Sequence, residues 1–300
     1  MLSRSNAPGL QKYAFHWLAD NWSKVEWMKT SIDSLYQYNL FGIPMMGSDI
    51  CGFNLDASAE LCTRWHQLGS FYPFARNHKN SVWKQTEPYQ YNFPVPELDD
   101  GTTYTDLIRT ALLHRYSLLR YIYSSFHHIG QNGGSFFKPL YYEFQNDNST
   151  FDDDAIERNI LLGSALKLSI QVQNLDQVST EYQFPAARWC QVVPKIDPAK
   201  CFDTMAGDST LQRLDSGIAD YQVHIRGGRI MPYQNATALR VNKSADLVAA
   251  PTQLIGLPNE NNGPILVAPN TYNAMAAGYI YLDDGTSATD IGRVDFYVQY

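Results

Sequence analysis

The fold of this chain is organised around residues 16–22, which read HWLADNW. An aromatic pair leads into the carboxylate of Asp20, and apolar residues at helical spacing begin at Trp22. A carboxylate at the C-terminal end of a strand, walled by aromatic rings, is partly desolvated, so its protonated form is favoured and can donate a proton near neutral pH. The local sequence also allows a simpler interpretation, in which Asp20 or Asn21 only caps the helix that follows.

Short apolar runs alternate with helical patterns through the first half of the chain. The expected strands are residues 13–17, 40–49, 71–78 and 138–144, and the expected helices are residues 22–38, 57–68, 104–128 and 153–162. This alternation predicts parallel βα units. Functional residues of βα barrels sit at the C-terminal ends of the strands, so we expect Asp20, Asp49 and His78 to be neighbours in space.

The pattern changes after about residue 166, where short strand-like runs are separated by Asn, Asp and Gly turns. This part predicts an all-β, sandwich-like fold. Hairpin turns are expected at Gly227-Gly228 and at Asp283-Asp284-Gly285. The expected strands are residues 167–172, 187–193, 221–225, 229–233, 264–268 and 279–282.

Composition excludes several classes of function. Lys and Arg number 23 against 30 Asp and Glu, a net charge of −7 without a basic cluster, which argues against nucleic acid and anionic membranes as partners. No apolar run is long enough to span a bilayer. Aromatic residues make up 13% of the chain. That content suits ring stacking on sugars and suits an aromatic core equally well.

The four cysteines form two sequence-local pairs, Cys51 with Cys62 and Cys190 with Cys201. Two local disulfides in an oxidising compartment and four buried thiols both fit this spacing. Metal binding is disfavoured because no Cys-x-x-Cys or His-x-x-x-His spacing accompanies them. Asparagines 148, 235 and 242 begin glycosylation sequons, and Asn21 begins a fourth that we expect to be buried.

Several motifs together resemble glycoside hydrolase family 31, in its branch of lysosomal and intestinal α-glucosidases. They match in order and spacing over nearly the whole chain, most densely from residue 3 to 145. The motifs are RS at 4–5, HWLADN at 16–21, GSDICGF at 47–53, ELCTRW at 60–65, GSFYPFARNH at 69–78, EPY at 87–89, PLYYEF at 139–144, RGG at 226–228 and YLDDG at 281–285.

The resemblance implies a fold: the C-terminal half of a (β/α)8 TIM barrel followed by β-sandwich domains. The expected ranges are 1–165 for the barrel portion, 166–240 for a proximal sandwich and 241–300 for the start of a distal β domain. The resemblance also implies a disulfide between Cys51 and Cys62. It gives no comparable partner for Cys190 or Cys201.

The resemblance also assigns site residues. Asp20 is expected to be the general acid/base, with Arg4 and His78 donating to hydroxyls of the bound sugar. Asp49 is expected to orient His78 or Arg4. Trp17 and Phe53 are expected to wall the pocket. Alternatives remain, since Arg4 could form an ordinary ion pair, His78 could be a core histidine, and Trp17 and Phe53 could be core residues.

Two departures from the family pattern bear on the function. The family's nucleophile lies in a Trp-x-Asp-Met-Asn-Glu motif on an earlier strand, and that motif is absent here. We therefore expect this chain to be the C-terminal part of a longer polypeptide whose N-terminal part is its partner. Ala19 replaces the family's Gly, which is tolerable unless the backbone there requires a positive φ.

The expected activity is that of a retaining exo-α-glucosidase that releases terminal glucose from small maltose-type substrates, in a secreted or lysosomal/vacuolar compartment. No cofactor is expected, because two carboxylates and water suffice. The missing nucleophile motif leaves a second hypothesis, a non-catalytic carbohydrate-binding or accessory polypeptide of the same fold.

Overall fold

The computed structural model describes residues 1–204, 210–241, 243–248, 250–257, 276–283 and 292–298. In the first 132 residues, short strands alternate with long helices, as the sequence predicts. These elements are β1 Leu2–Ser3, β2 Phe15–Trp17, α1 Val25–Leu40, β3 Met46–Gly47, β4 Asp49–Ile50, α2 Ala59–Gly69, β5 Arg76–Asn77 and α3 Tyr104–Asn132.

All strand pairs in this part are parallel. Strands β1, β2 and β3 form one short sheet in that order, and β4 pairs with β5 in a second ladder. Helices α2 and α3 pack against each other over buried side chains that include Trp65, Leu68 and Ile108. The sheet ends at β1, and the described strands do not close a barrel.

The start of α1 decides between the two interpretations of residues 16–22. The helix begins at Val25 rather than Trp22, and its N-cap residue is Lys24, which makes no side-chain capping bond. The interpretation that Asp20 or Asn21 caps this helix is therefore wrong. By contrast, Ser58 caps α2 by accepting the Leu61 N–H, as its position before an apolar helix favours.

Between residues 137 and 226 the strand pairing is antiparallel, and the expected βα pattern ends earlier than predicted. The predicted strand over 138–144 is shorter, and a 3-10 turn at Leu140–Tyr142 follows it. The predicted helix over 153–162 stops at Arg158, because the next four residues are all buried and suit a strand covered on both faces. The elements are β6 Phe137–Pro139, α4 Asp153–Arg158, β7 Asn159–Leu162, β8 Leu166–Ser169, β9 Ser179–Phe184, β10 Arg188–Val193, β11 Cys201–Asp203, β12 Thr210–Asp215 and β13 Gln222–Arg226.

These strands form a sandwich-like pair of sheets, as predicted. The larger sheet has the order β11-β10-β13-β8-β7-β6, and β12 pairs with β9 in the smaller one. Phe184 on β9 packs edge-on against Trp189 on β10, with ring centroids 5.6 Å apart. Tyr182 and Leu161 join the same buried cluster.

A four-stranded sheet, in the order β15-β14-β16-β17, completes the described fold. Its strands are β14 Arg229–Tyr233, β15 Gln253–Leu257, β16 Ala276–Leu282 and β17 Gly292–Val298. The hairpin expected at Gly227-Gly228 is wrong: β13 and β14 belong to different sheets, and the two glycines carry the chain from one to the other. β16 and β17 do pair antiparallel.

Some predictions fall on residues outside the described ranges. The predicted strand over 264–268 is one of them, and so are Asp284 and Gly285 of the second predicted hairpin. The sheets group the strands differently from the predicted ranges 1–165, 166–240 and 241–300, since the antiparallel sheet already begins at β6 and the four-stranded sheet at β14. Those ranges stay a prediction about independent domains.

Candidate active site

The parallel register brings the candidate residues to one edge of the short strands. Ser3 is aligned with His16 and Trp17 with Gly47, so Arg4 and Asp20 follow neighbouring strands at their C-terminal ends. Asp49 is aligned with Arg76 in the second ladder, and His78 directly follows β5, the strand of Arg76. This edge is where a βα barrel carries its functional side chains.

Asp49 is the buried centre of this edge. Its side chain is fully buried, and its Oδ1 accepts a hydrogen bond of 2.8 Å from Arg76 Nη2. Burial raises the pKa of the Asp49 carboxyl, while Arg76 and His78 act in the opposite direction and the Asp20 carboxylate adds to the rise. Asp49 therefore interacts electrostatically with both His78 and Asp20, and the three groups share one region.

Asp49 forms an ion pair that the sequence did not predict. We expected Asp49 to orient His78 or Arg4, and that role stays a prediction; in the structure its ion pair is with Arg76. The reason is the register, because Arg76 lies directly across from Asp49 on the adjacent parallel strand. The guanidinium carbon of Arg76 also lies 5.3 Å from the centre of the Trp17 ring, so one cation joins the carboxylate to an aromatic wall.

Asp20 is exposed in this chain, which corrects the expectation that aromatic rings wall it and partly desolvate it. Among the described residues the sheet ends at β1, one strand away from β2, which Asp20 follows. The backbone that presents it is strained, because Ala19 has φ +61°. The Leu18 N–H donates a hydrogen bond of 3.0 Å to the Gly47 carbonyl, which fixes the chain just before this turn.

Arg4 and Trp17 are adjacent by strand register. Arg4 is exposed just beyond β1, while Trp17 is half-buried at the end of β2. The indole Nε1 of Trp17 has no hydrogen-bond partner among the described residues. The half-buried side chain separates Trp17 from the fully buried core aromatics.

Phe53 and His78 face each other across the second half of the edge. Their ring centroids are 5.0 Å apart and inclined at 32°. Both side chains are half-buried, unlike core residues. The structure thus brings His78 and Phe53 together beside Asp49, as the sequence predicts for the strand ends.

The loop that carries Phe53 is held by Asn21, whose role the sequence analysis missed. Asn21 is buried; its Nδ2 donates 2.7 Å to Ser48 Oγ and 2.9 Å to the Asp49 carbonyl, and its Oδ1 accepts the Phe53 N–H at 2.8 Å. The amide that follows the candidate acid therefore fixes the Asp49 strand and the Phe53 loop at once. Its position next to Asp20 was the only available signal.

Lys79 is a second residue that the sequence analysis missed. Its ammonium donates to Ser23 Oγ at 2.8 Å, to the Gly52 carbonyl at 3.1 Å and to the Leu55 carbonyl. Burial lowers the pKa of Lys79, and Asp56 partly offsets this. Gly52 permits the close approach of this loop to the segment before α1, since φ is +83° and a Cβ there would lie 2.4 Å from the Ser23 backbone nitrogen.

Both cysteine pairs are disulfides, Cys51–Cys62 and Cys190–Cys201. The alternative of four buried thiols is therefore wrong, and the partner of Cys190 is the cross-strand residue on β11. His66 packs beside the first bridge, and its Nδ1 lies 2.8 Å from the Cys62 carbonyl. Burial lowers the pKa of His66 to about 4. Cys51, Cys62 and His66 cluster closely, but the sulfurs are bonded to each other and offer no thiolate to a metal.

The sequons differ in accessibility. Asn21 and Ser23 are buried, as expected for the fourth sequon, while the asparagines at 148 and 235 are exposed. Asn242 lies outside the described residues. In the part of the chain that the structure describes, no helix is long and apolar enough to cross a membrane.

Comparison with protein-family models identifies the family. A model described as the glycosyl hydrolases family 31 TIM-barrel domain matches residues 1–125, and one described as the family 31 C-terminal domain matches residues 133–231.

The chain belongs to glycoside hydrolase family 31.

Relatives within family 31 match nearly all of this chain. It is 32% identical over 303 residues to intestinal sucrase-isomaltase of Oryctolagus cuniculus, covering 99% of this chain and 14% of that protein. It is 31% identical over 298 residues to lysosomal alpha-glucosidase of Rattus norvegicus, covering 96% of this chain and 28% of that protein. The chain thus spans less than a third of the length of either relative.

Solved structures of family 31 share the fold. The glucosidase II alpha subunit superposes with a TM-score of 0.81 at 23% identity, covering 99% of this chain and 29% of that one. A Flavobacterium johnsoniae dextranase superposes with a TM-score of 0.75 at 20% identity, covering 100% of this chain and 34% of that one. At these identities the comparison supports the fold, which is a family 31 TIM-barrel portion followed by a C-terminal domain.

Proposed function

We propose that this chain is the C-terminal part of a retaining exo-α-glucosidase, with Asp20 as its general acid/base. The observation that carries the proposal is the convergence of Asp20, Asp49 and His78 at the strand ends of a family 31 barrel portion. The relatives support the substrate class, because their names identify them as sucrase-isomaltase and α-glucosidase.

In the proposed reaction, a carboxylate from a preceding segment of the polypeptide attacks the anomeric carbon while Asp20 donates its proton to the departing glycosidic oxygen. This gives a covalent glycosyl-enzyme. Asp20 then accepts a proton from water as the water oxygen attacks the same carbon, which releases glucose and restores both carboxyl groups.

The other residues bind and orient the sugar in this proposal. Arg4 and His78 donate to its hydroxyls, and Trp17 and Phe53 form the walls. Asp49 acts through Arg76: the ion pair neutralises a buried carboxylate and holds the guanidinium over Trp17.

We also propose that the protein works outside the cytosol, in a secreted or lysosomal/vacuolar compartment. The two disulfides support this, because such bridges persist where the environment is oxidising. The exposed asparagines of two sequons are compatible with glycosylation there.

The test is Asp20→Asn in the natural full-length polypeptide, with Asp99→Asn as the control because Asp99 is an exposed aspartate in a loop outside the site. Losing a general acid typically slows turnover by about 10²–10⁴-fold. We expect a loss of that size on maltose for Asp20→Asn. In this variant an aryl glucoside should still form the glycosyl-enzyme, because its leaving group needs no protonation. Added azide should then accelerate release of the glucosyl group from the enzyme.

Near-normal hydrolysis of maltose by Asp20→Asn would refute the assignment of Asp20. A wild-type polypeptide that binds maltose saturably without turning it over would favour the non-catalytic alternative. Asp99→Asn should match the wild type in every assay.

A further inference from the structure

A polar cavity of about 330 Å³ lies far along the chain from the strand-end site. Its walls come from the C-terminal end of α3, from β6 and the β7–β8 turn, and from β14 and β16 of the four-stranded sheet. The residues that matter are Ser125, Ser135, Lys138, Ser164, Arg229 and Tyr279. We call it the junction pocket, because it joins the last helix of the barrel portion to both later sheets.

The junction pocket carries an excess of positive charge. The Lys138 ammonium lies 2.5 Å from one oxygen of Glu143, and Arg226 pairs with the other oxygen. One carboxylate is thus shared by two cations. Arg229 lies close enough to act electrostatically on Glu143 and Arg226, yet it forms no ion pair within the described part of the chain. Three positive charges against one negative charge leave a local excess of two.

Among the described residues, the charges near the pocket wall do not remove this excess. Arg293, whose guanidinium carbon is 4.8 Å from the centre of the Tyr279 ring, is paired with Asp295 at 2.6 Å. That pair is neutral as a unit. The chain as a whole has a net charge of −7, so a site with two uncompensated cations runs against the overall balance. Uncompensated cations in a concave site attract an anion.

The remaining wall offers hydroxyl groups. Three serines and Tyr279 line the cavity. The Ser125 hydroxyl is buried and lies near those of Tyr121 and Tyr279, but it makes no hydrogen bond of normal geometry to the described residues. An arginine and a lysine suit the oxygens of a phosphate, and hydroxyls can pair with its remaining oxygens or with those of a sugar.

We propose that the junction pocket binds a small phosphate-bearing anion, either free phosphate or a hexose monophosphate. Its volume lies at the lower end of the range for small-molecule sites, which is enough for a phosphate with one sugar ring. Because the ligand touches the last helix and both sheets, its binding stabilises their junction. This inference does not depend on the proposed glucosidase activity.

The test is calorimetric titration of the natural polypeptide with inorganic phosphate, with glucose 6-phosphate and with glucose, at an ionic strength held constant with chloride. We expect saturable binding of phosphate. An affinity at least tenfold higher for the ester identifies the sugar as part of the ligand, and equal affinities identify free phosphate. Glucose should not compete with phosphate for this site.

Variants locate the site. Arg229→Gln should weaken phosphate binding at least tenfold, because it removes the unpaired cation. Arg213→Gln is the matched control, since Arg213 is an exposed arginine on β12, and its affinity should stay within twofold of wild type. Ser135→Asp places a carboxylate in the wall without touching the Lys138 ion pair, and it should abolish binding even if Arg229→Gln folds poorly.

The proposal is overturned if wild type shows no saturable heat with either phosphate ligand. It is also overturned if Arg213→Gln weakens binding as much as the pocket variants, because the effect would then be general charge screening.

Discussion

Replacing Ala19 by glycine should stabilise this protein, although such a change normally destabilises. Ala19 has φ +61°, in the left-handed region that a Cβ disfavours. It cannot relax, because the turn is held on one side by the Leu18–Gly47 hydrogen bond and on the other by the buried Asn21 clamp. The strain sits directly before Asp20, as backbone strain at functional sites often does.

The size of the effect follows from two opposing terms. Left-handed backbone costs an L-residue about 1–2 kcal/mol, which glycine would recover. Glycine makes the unfolded chain more flexible, which takes back about 0.4–1 kcal/mol. The expected net gain in the free energy of unfolding for Ala19→Gly therefore lies between about 0 and 1.6 kcal/mol, centred near about 0.8 kcal/mol. With a urea slope of about 3 kcal/mol/M, a gain of about 0.8 kcal/mol raises the midpoint by about 0.3 M.

The matched control is Ala7→Gly. Ala7 is an exposed loop residue without a positive φ, so only the unfolded-state term applies, and its midpoint should fall. Both variants are compared with wild type by urea unfolding, monitored by far-ultraviolet circular dichroism and by tryptophan fluorescence. The dependence of the free energy on urea concentration should be the same in all three proteins. If Ala19→Gly lowers the midpoint as Ala7→Gly does, the strain argument is refuted.

Two further perturbations test other parts of the structure. Lys79→Met should speed amide hydrogen exchange of residues 52–55, measured by mass spectrometry, because it removes the ammonium that bonds to two loop carbonyls. Lys84 is exposed, so Lys84→Met should leave this exchange unchanged. Equal exchange rates in the two variants would contradict the role of Lys79. Lys167 is fully buried with its ammonium 3.8 Å from the centre of the Phe184 ring, and burial lowers its pKa well below the usual range, so the unfolded chain holds the proton more tightly. The free energy of unfolding of wild type should therefore rise with pH toward about 10.5, the pKa of Lys167 in the unfolded chain. Lys167→Met should lose this pH dependence and be more stable than wild type at pH 7 by about 1–3 kcal/mol. Urea unfolding at several pH values measures both effects, and a wild type without the pH dependence would contradict the reasoning.

Much of the fold follows from local patterning. The helices α1, α2 and α3 appear close to the predicted positions, because each has apolar residues at helical spacing. The predicted helix over 153–162 failed at its second half, because residues 159–162 are drawn into a sheet by partners that lie far away in sequence. A run of buried apolar residues has no period that distinguishes a helix from a strand covered on both faces.

The sequence by itself determined which residue types stand at the strand ends, and hence Asp20, Asp49 and His78 as candidates. It also supplied the family resemblance and the Cys51–Cys62 pair. Only the tertiary structure decided what those residues contact: Asp49 pairs with Arg76, Asn21 clamps the loop of Phe53, and Ala19 is strained. Which charge meets which depends on strand register and on loops brought together across the fold, and neither is encoded in the spacing of residues along a single strand.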